Sequence, residues 1–432
     1  MKSKLKVLIL AEAANPEWVS VPLIGWSMSR AIASECEIVM VTQVRNRDAF
    51  LRAGLAEGTD FFSIDTEGLV RPLRAMSAPF RTRSGTGWTM LALASSLSYP
   101  YFEHLAWKLL GARIRSGEFD IVHRVTPLTP TSQSSIARKC AAAGVPFVLG
   151  PLNGGVPWPK GFDSERRKER EWLSYVRGIY KLLPNRVSTV KYASAVLCGS
   201  RHTMSELPRR YADKYHYLPE NGIDPSRFTA RRDPSTGPIR VCFLGRLVPY
   251  KGPDMLLEAA EPLLRAGLLK LEIAGDGPLM PALREFVQTG GLAESVTLHG
   301  WVQHESVQQI LASCAVMALP SVREFGGGVV LEAMAVGTVP LVIDYAGPGE
   351  LVDAEVGFKI PLGSRAQICA SLRECLSRIA AADPSALEKM SAAGVERVQS
   401  RFTWQAKARA VVAIYRDVLK SKEASPASAD LE

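Results

Sequence analysis

The sequence predicts an α/β protein of two similar-sized units, joined by a short linker that leaves a cleft between them. Three observations carry this. Short apolar runs alternate with longer helical patterns along the whole chain of 432 residues. The alternation breaks once, at TARRDPSTGPIR. Charge changes sign across that break: residues 1–234 hold 33 Lys and Arg against 21 Asp and Glu, and the remaining 198 hold 19 against 22, within a total of +9. A basic half beside a slightly acidic one suggests domains that meet different partners.

In the first half, strands are expected near Leu5–Leu10, Ile38–Thr42, Asp120–His123, Pro146–Leu149 and Ala195–Cys198. In the second half they fall near Ile239–Leu244, Leu271–Ala274, Val296–Leu298, Val316–Leu319, Val339–Ile343 and Phe358–Ile360. Val, Ile and Leu occupy both parities of these runs, as in parallel strands covered on both faces. Segments such as Asp254–Ala266 and Val329–Val336 carry apolar residues at helical spacing, which makes the sheets parallel. Residues 229–238 lack periodicity and contain Pro234, Gly237 and Pro238, so they read as the linker. The first domain is then 1–228 and the second 239–402, with an amphipathic helix over 403–421 and a disordered tail over 422–432.

Composition excludes several classes. Hydrophobic residues at 47% and charged ones at 22% make an ordinary globular mix. No run approaches the roughly 18 apolar residues of a membrane span. The opening MKSKLKVLIL meets Glu12, Asn15 and Pro16 too soon for a signal peptide and reads as a first buried strand. Seven scattered cysteines without a C-x-x-C pair fit a reduced cytoplasm, and no zinc site is expected. Walker, G-x-S-x-G, H-E-x-x-H and G-x-G-x-x-G signatures are all absent.

The richest segment is LPSVREFGGGVVLEAMAVGTVPLVID. Glycines 326–328 directly before a helix let an anion approach backbone N–H groups at the positive end of the helix dipole. Glu324 precedes that turn and Glu332 lies about one turn inside the helix. Carboxylates so placed can accept hydrogen bonds from hydroxyls of two sugar rings. The plainer alternative is a solvated loop residue and a first-turn dipole partner. In RVCFLGRLVPYKG, Arg246 follows a strand end and Lys251 precedes a helix, a pair of cations able to hold a diphosphate or a basic surface loop. LEIAGDGP is a tight turn.

FLGRLVPYKGPDMLLEA, IAGDGP, LHGWV and PSVREFGGGVVLEAMAVG occur in this order, with ENGIDPSRF upstream and FTW before the IYRDVL helix. Together they resemble the donor-binding half of family-4 (group 1) retaining glycosyltransferases. The resemblance implies the GT-B fold, two Rossmann-like domains facing across a cleft, with the C-terminal helix crossing back to the first. It implies a hexosyl transfer from a UDP- or GDP-linked sugar to a hydroxyl of a glycan or lipid-linked acceptor, with retention. The family's E-x7-E pair matches Glu324, for the donor sugar, and Glu332, for the ribose. Its phosphate-binding cations match Arg246 and Lys251. Gly245, the backbone from Phe325 through Gly326, Gly327, Gly328, Val329 and Val330, and Val302 beside the base complete the implied donor site. The family often reads G-F-G where this chain has E-F-G-G-G. No D-x-D triplet occurs, so neither metal nor other cofactor is expected, with two cations and a helix end in the metal's place.

On the acceptor side, His123 at a strand end beside Arg124 resembles the family's strand-end histidine, close to the transferred sugar; a satisfied structural histidine is the plainer reading. Asn153, Gly154 and Gly155 in PLNGGVPWP form either a cleft wall or a tight loop. Six of eight tryptophans, Trp18, Trp26, Trp88, Trp107, Trp158 and Trp172, lie in the basic half. Residues 81–115 mix Arg81, Arg83, Lys108, Arg113 and Arg115 with Trp88, Tyr101 and Trp107, which suits an anionic membrane face or ordinary surface. SERRKEREW, 164–172, reads as a solvated helix face. The implied setting is cytoplasmic polysaccharide or lipid-linked glycan assembly at the inner membrane face, with no nucleic acid involved. Two other readings share the scaffold: a nucleotide-sugar epimerase, which needs no acceptor, and a silent saccharide-binding protein.

Overall fold

The computed structural model describes residues 4–68, 88–154, 156–159, 161–162, 185–232 and 237–424. It divides into two compact units. The first comprises residues 1–155, 171–220 and 404–432, the second 156–170 and 221–403.

The first unit is built on seven parallel strands: β1 (Lys6–Ala11), β2 (Glu37–Gln43), β3 (Phe61–Ile64), β4 (Ile121–Thr126), β5 (Phe147–Leu152), β6 (Ala195–Cys198) and β7 (Tyr215–Tyr217). Their spatial order is β3-β2-β1-β4-β5-β6-β7, so the sheet reverses direction of growth between β1 and β4. Both faces are covered. Leu8, Val122, Leu149 and Val196 pack under the helices Trp88–Arg115 and Ser135–Ala142. Ile9, Ile121, Val125 and Val148 pack on the other side with Met28, Ile32, Val411 and Tyr415. The last two belong to the final helix, Trp404–Ala424, which is part of this unit.

The second unit has β8 (Ile239–Leu244), β9 (Leu269–Ala274), β10 (Val296–Gly300), β11 (Val316–Leu319), β12 (Val339–Ile343) and β13 (Phe358–Ile360). The order is β10-β9-β8-β11-β12-β13, reversing between β8 and β11. Valine-, isoleucine- and leucine-rich strands buried on both faces account for the absence of alternation in the sequence. The all-buried β11 and β12 show it best.

Three expectations need correction. Strands β3 and β7 were not anticipated; FFSI and YHY are the two edges of their sheet, where burial is partial and the apolar run is short. Residues 229–232 lie inside the second unit, because the chain passes into it after Glu220 and Phe228 is already buried in its core. The polar strip is strapped down instead: Thr229 and Ala230 N–H donate to Gln308 Oε1 at 2.9 and 3.0 Å, and Arg232 N–H to the Val336 carbonyl at 2.8 Å. The helix expected to end at 421 runs through Ala424, and the remaining tail lies outside the described residues. So do Arg81, Arg83, Gly155 and the stretch 164–172.

Candidate donor site in the second unit

In doubly wound sheets ligands bind beyond the carboxyl ends of the strands that flank the reversal point. In the second unit these are β8 and β11, and the loops that follow them hold Arg246, Lys251 and Glu324.

Backbone contacts hold these loops. Gly245 N–H donates to the Ala274 carbonyl at 3.1 Å, and Leu247 N–H to the Asp276 carbonyl at 3.0 Å. A Cβ on Gly275 would lie 1.9 Å from the Gly245 oxygen, so this approach is open to glycine alone. IAGDGP is thus a buttress for the loop after β8. That loop in turn is fixed to the loop after β11: the Tyr250 carbonyl accepts from Val322 N–H at 2.9 Å and Ser321 Oγ at 3.2 Å. The docking brings Lys251 onto Glu324, where Nζ donates to Oε2. The two side chains are 18% and 19% exposed, in reach of a ligand yet largely dry. Burial pushes the Lys251 ammonium down to about 8, and the Arg246 guanidinium adds to the shift. Arg246 itself is exposed.

Beyond Glu324 the chain turns through Phe325 and Gly326 into the helix Gly328–Val336. Gly327 supplies its N-cap in a left-handed conformation, φ 60°, with the neighbouring ring of Pro348 3.3 Å from where a Cβ would stand. No side chain caps this helix start, and its first turn contains no acidic residue. Its own first turn therefore supplies no carboxylate to the dipole. Glu332 lies in the second turn, half-buried, which removes the reading of it as a first-turn dipole partner. Val329 is half-buried and Val330 fully buried in the core. Val330 N–H donates to the Gly327 carbonyl at 2.9 Å, within the turn. Val302 packs against the core of this unit after β10, while its neighbour Trp301 is 74% exposed.

Residues 238–378 match the family described as glycosyl transferases group 1. Over these residues the chain is similar to the group 1 glycosyltransferases. It is 27% identical over 244 residues to alpha-D-kanosaminyltransferase of Streptomyces kanamyceticus, covering 53% of this chain and 62% of that one. It is 31% identical over 199 residues to glycogen synthase of Mycobacterium tuberculosis, 45% of this chain and 47% of that one. These matches span less than two thirds of either relative. Two solved structures share the fold over nearly the whole chain. Sucrose-phosphate synthase from Thermosynechococcus elongatus has a TM-score of 0.58 at 16% identity, covering 97% and 100% of the two chains. Anabaena HepE in complex with UDP has 0.59 at 15%, covering 98% and 100%. The two-domain fold of parallel sheets is therefore GT-B.

His123, in the first unit, is fully buried. Nε2 lies 2.6 Å from the Gly150 carbonyl and Nδ1 2.5 Å from the Tyr415 hydroxyl. Burial pushes it down to about 4, so the ring is neutral. A carbonyl can only accept, which puts the proton on Nε2 and leaves Nδ1 to accept from Tyr415. Both nitrogens are thus committed within the unit, as a structural histidine requires. Asn153 is engaged as well, Nδ2 donating to Glu220 Oε1 at 2.6 Å and Oδ1 accepting from Gly154 N–H at 2.8 Å, which makes its loop a tight turn.

Sequence reasoning passed over the residues that brace the two charged loops. Trp158 meets Tyr250 edge-on, ring centres 5.8 Å apart, and the Arg323 guanidinium lies 4.9 Å from Trp158 and 5.3 Å from Phe325. Lys251 and Glu324 are the next residues along from Tyr250 and Arg323. One half-buried aromatic–cation stack, with Arg323 buried at its centre, therefore supports both. No local pattern in the sequence joins position 158 to positions 250 and 323.

Proposed function

We propose that this chain transfers a hexosyl group from a UDP- or GDP-linked sugar to a hydroxyl of a glycan or lipid-linked acceptor, with retention at the anomeric carbon. The observation that carries the reading is the convergence, at the reversal point of the second sheet, of Arg246, the Lys251–Glu324 pair and an uncapped helix start. HepE, solved with UDP, supports a nucleotide ligand for such a fold.

In this reading the donor diphosphate lies at Gly326–Val329 and draws Lys251 from Glu324. That exchange frees the Glu324 carboxylate to accept a hydrogen bond from a sugar hydroxyl, and Glu332 does the same for the ribose. Charge then develops on the departing diphosphate as the bond from anomeric carbon to phosphate oxygen breaks. Arg246, Lys251 and the helix dipole stabilise it without reorganising, which is where most of the rate comes from. The acceptor oxygen bonds to the anomeric carbon on the face the diphosphate leaves, and its proton passes to the leaving phosphate oxygen. The proposal assigns no step to a metal, and none to His123.

Thermal melts with UDP, GDP and their sugars test the binding. A nucleotide at 100 times its Kd should stabilise by roughly 2.7 kcal/mol. Nucleotide release across a donor panel, with and without glycan and lipid acceptors, tests the transfer. Sugar-nucleotide turnover that needs no acceptor would favour an epimerase, and no nucleotide response at all would favour a silent saccharide-binding protein.

A further inference from the structure

Arg124 lies on β4, a strand buried along its whole length, and is itself 0% exposed. An arginine keeps its charge at any pH a protein meets, and a buried charge without a partner is costly. Nη1 donates to the Ser132 carbonyl at 2.6 Å, and the guanidinium carbon sits 5.4 Å from the Tyr99 ring centre. Among the described residues, Nε and Nη2 have no hydrogen-bond partner. Glu103, the buried carboxylate of the same layer, is already taken by the Ser134 and Ser135 hydroxyls and by the N–H groups of Ser135 and Ile136.

The two idle nitrogens are not an arbitrary pair. Nε–H and Nη2–H form the edge of the guanidinium that grips a carboxylate with two parallel bonds. Elsewhere in this unit that edge is so used: Arg113 holds Glu118 at 2.6 and 2.6 Å, and Arg52 holds Glu17 at 2.7 and 2.8 Å. Arg124 has the same fork and, among the described residues, no acid in it.

Beside it is a pocket of about 280 Å³, mouth included, lined by Arg124, Ser132, Gln133, Thr189, Leu149 and Leu207 among others. The Ser132 hydroxyl is also buried without a partner. The pocket lies toward the carboxyl ends of β4 and β5, the side on which such sheets bind ligands. We propose that it is a binding site for a carboxylate, held in the Arg124 fork with Ser132 Oγ as a further donor, and that its bearer is an acidic sugar unit. The carboxylate follows from the fork; the sugar rests on the transferase reading. Only about 10 Å³ of the interior is open as it stands, room for one water, so Gln133 and the 130–132 turn must give way on binding.

The test uses the full chain without nucleotide, so its failure leaves the transferase reading untouched, and failure of that reading leaves this binding measurable. Melting temperature and calorimetry are read with acetate, D-glucuronate, inorganic phosphate and neutral D-glucose at matched ionic strength. Saturable stabilisation by acetate and glucuronate is expected, with none from glucose. Glucuronate binding should weaken about tenfold or more in Arg124→Met, whose melting temperature should equal or exceed the wild type because an unpaired charge has gone. Acetate binding as tightly as glucuronate would remove the sugar, and phosphate binding more tightly than either would remove the carboxylate. No carboxylate response, or the same response in Arg124→Met, overturns the proposal and leaves Arg124 to a structural water. Should Arg124→Met fail to fold, Ser132→Ala decides: glucuronate affinity reduced several-fold at unchanged melting temperature supports the site, and unchanged affinity overturns it.

Discussion

Lys251 combines two demands that oppose each other. It must be charged to meet a diphosphate, and it is buried enough that its ammonium falls to about 8. Glu324, paired with it, is the counterweight. The expected profile of kcat/KM falls as pH rises through about 8, since the free protein then loses the cation. In Glu324→Gln the falling limb should move to lower pH, because removing the carboxylate removes what favours the ammonium. An unmoved limb would separate the two side chains functionally. Lys251→Ala should lower turnover by about 100-fold or more, the usual cost of deleting one preorganised charge donor, with little change in melting temperature. His123 makes the opposite case. Its folded-state value lies far below the ordinary 6.5, so the unfolded chain takes up a proton that the folded one refuses. Stability should be full above pH 6.5 and fall as pH drops toward 4, with a flatter slope in His123→Gln.

At the scale of elements, the candidate donor site is a set of loops held by backbone contacts, and the glycines decide whether they meet. Gly275→Ala should destabilise by more than about 2 kcal/mol and abolish nucleotide stabilisation, because the new Cβ meets a carbonyl oxygen, not a side chain that can move. Gly327→Ala should cost only about 1–2 kcal/mol for its left-handed φ while still disturbing the helix start. The final helix offers a test of structural roles. Tyr415→Phe strands the Nδ1 acceptor of His123 in a dry environment, which should cost about 1–3 kcal/mol in chemical denaturation. A loss of turnover beyond that of stability would show that the histidine does more than pack.

Over the whole molecule, the +9 charge and the basic first half motivated docking on an anionic membrane. Part of that charge is engaged by neighbouring side chains: Arg113 pairs with Glu118, and Arg115 and Lys139 lie 5.5 and 5.1 Å from the Trp107 ring centre. Outward on the described part of the helix Trp88–Arg115 are Tyr101, His104, Lys108, Leu109 and Arg115, among others. Among the described residues no helix is long and apolar enough to cross a membrane. Vesicles rich in anionic lipid should therefore retain the protein weakly, less so at high salt and in Lys108→Glu. Sedimentation independent of salt and of position 108 would remove the surface from consideration.

Strand positions and the donor motifs were legible because each is a local pattern. A parallel strand is a continuous apolar run wherever it stands in the sheet, and a glycine before a helix marks an anion-tolerant turn by itself. Strands β3 and β7 were not legible, because an edge strand needs no long apolar run. Nor was the division at Glu220, since polar residues 229–232 reveal their attachment only through bonds to Gln308 and Val336. Pairing Lys251 with Glu324, bracing both through Trp158 and Arg323, and leaving Arg124 without a counterion are decisions of the tertiary structure. They depend on which loops stand side by side after strands distant in sequence become neighbours in a sheet. A residue's type and spacing state what it can do; its neighbours across that sheet determine which of those things it does.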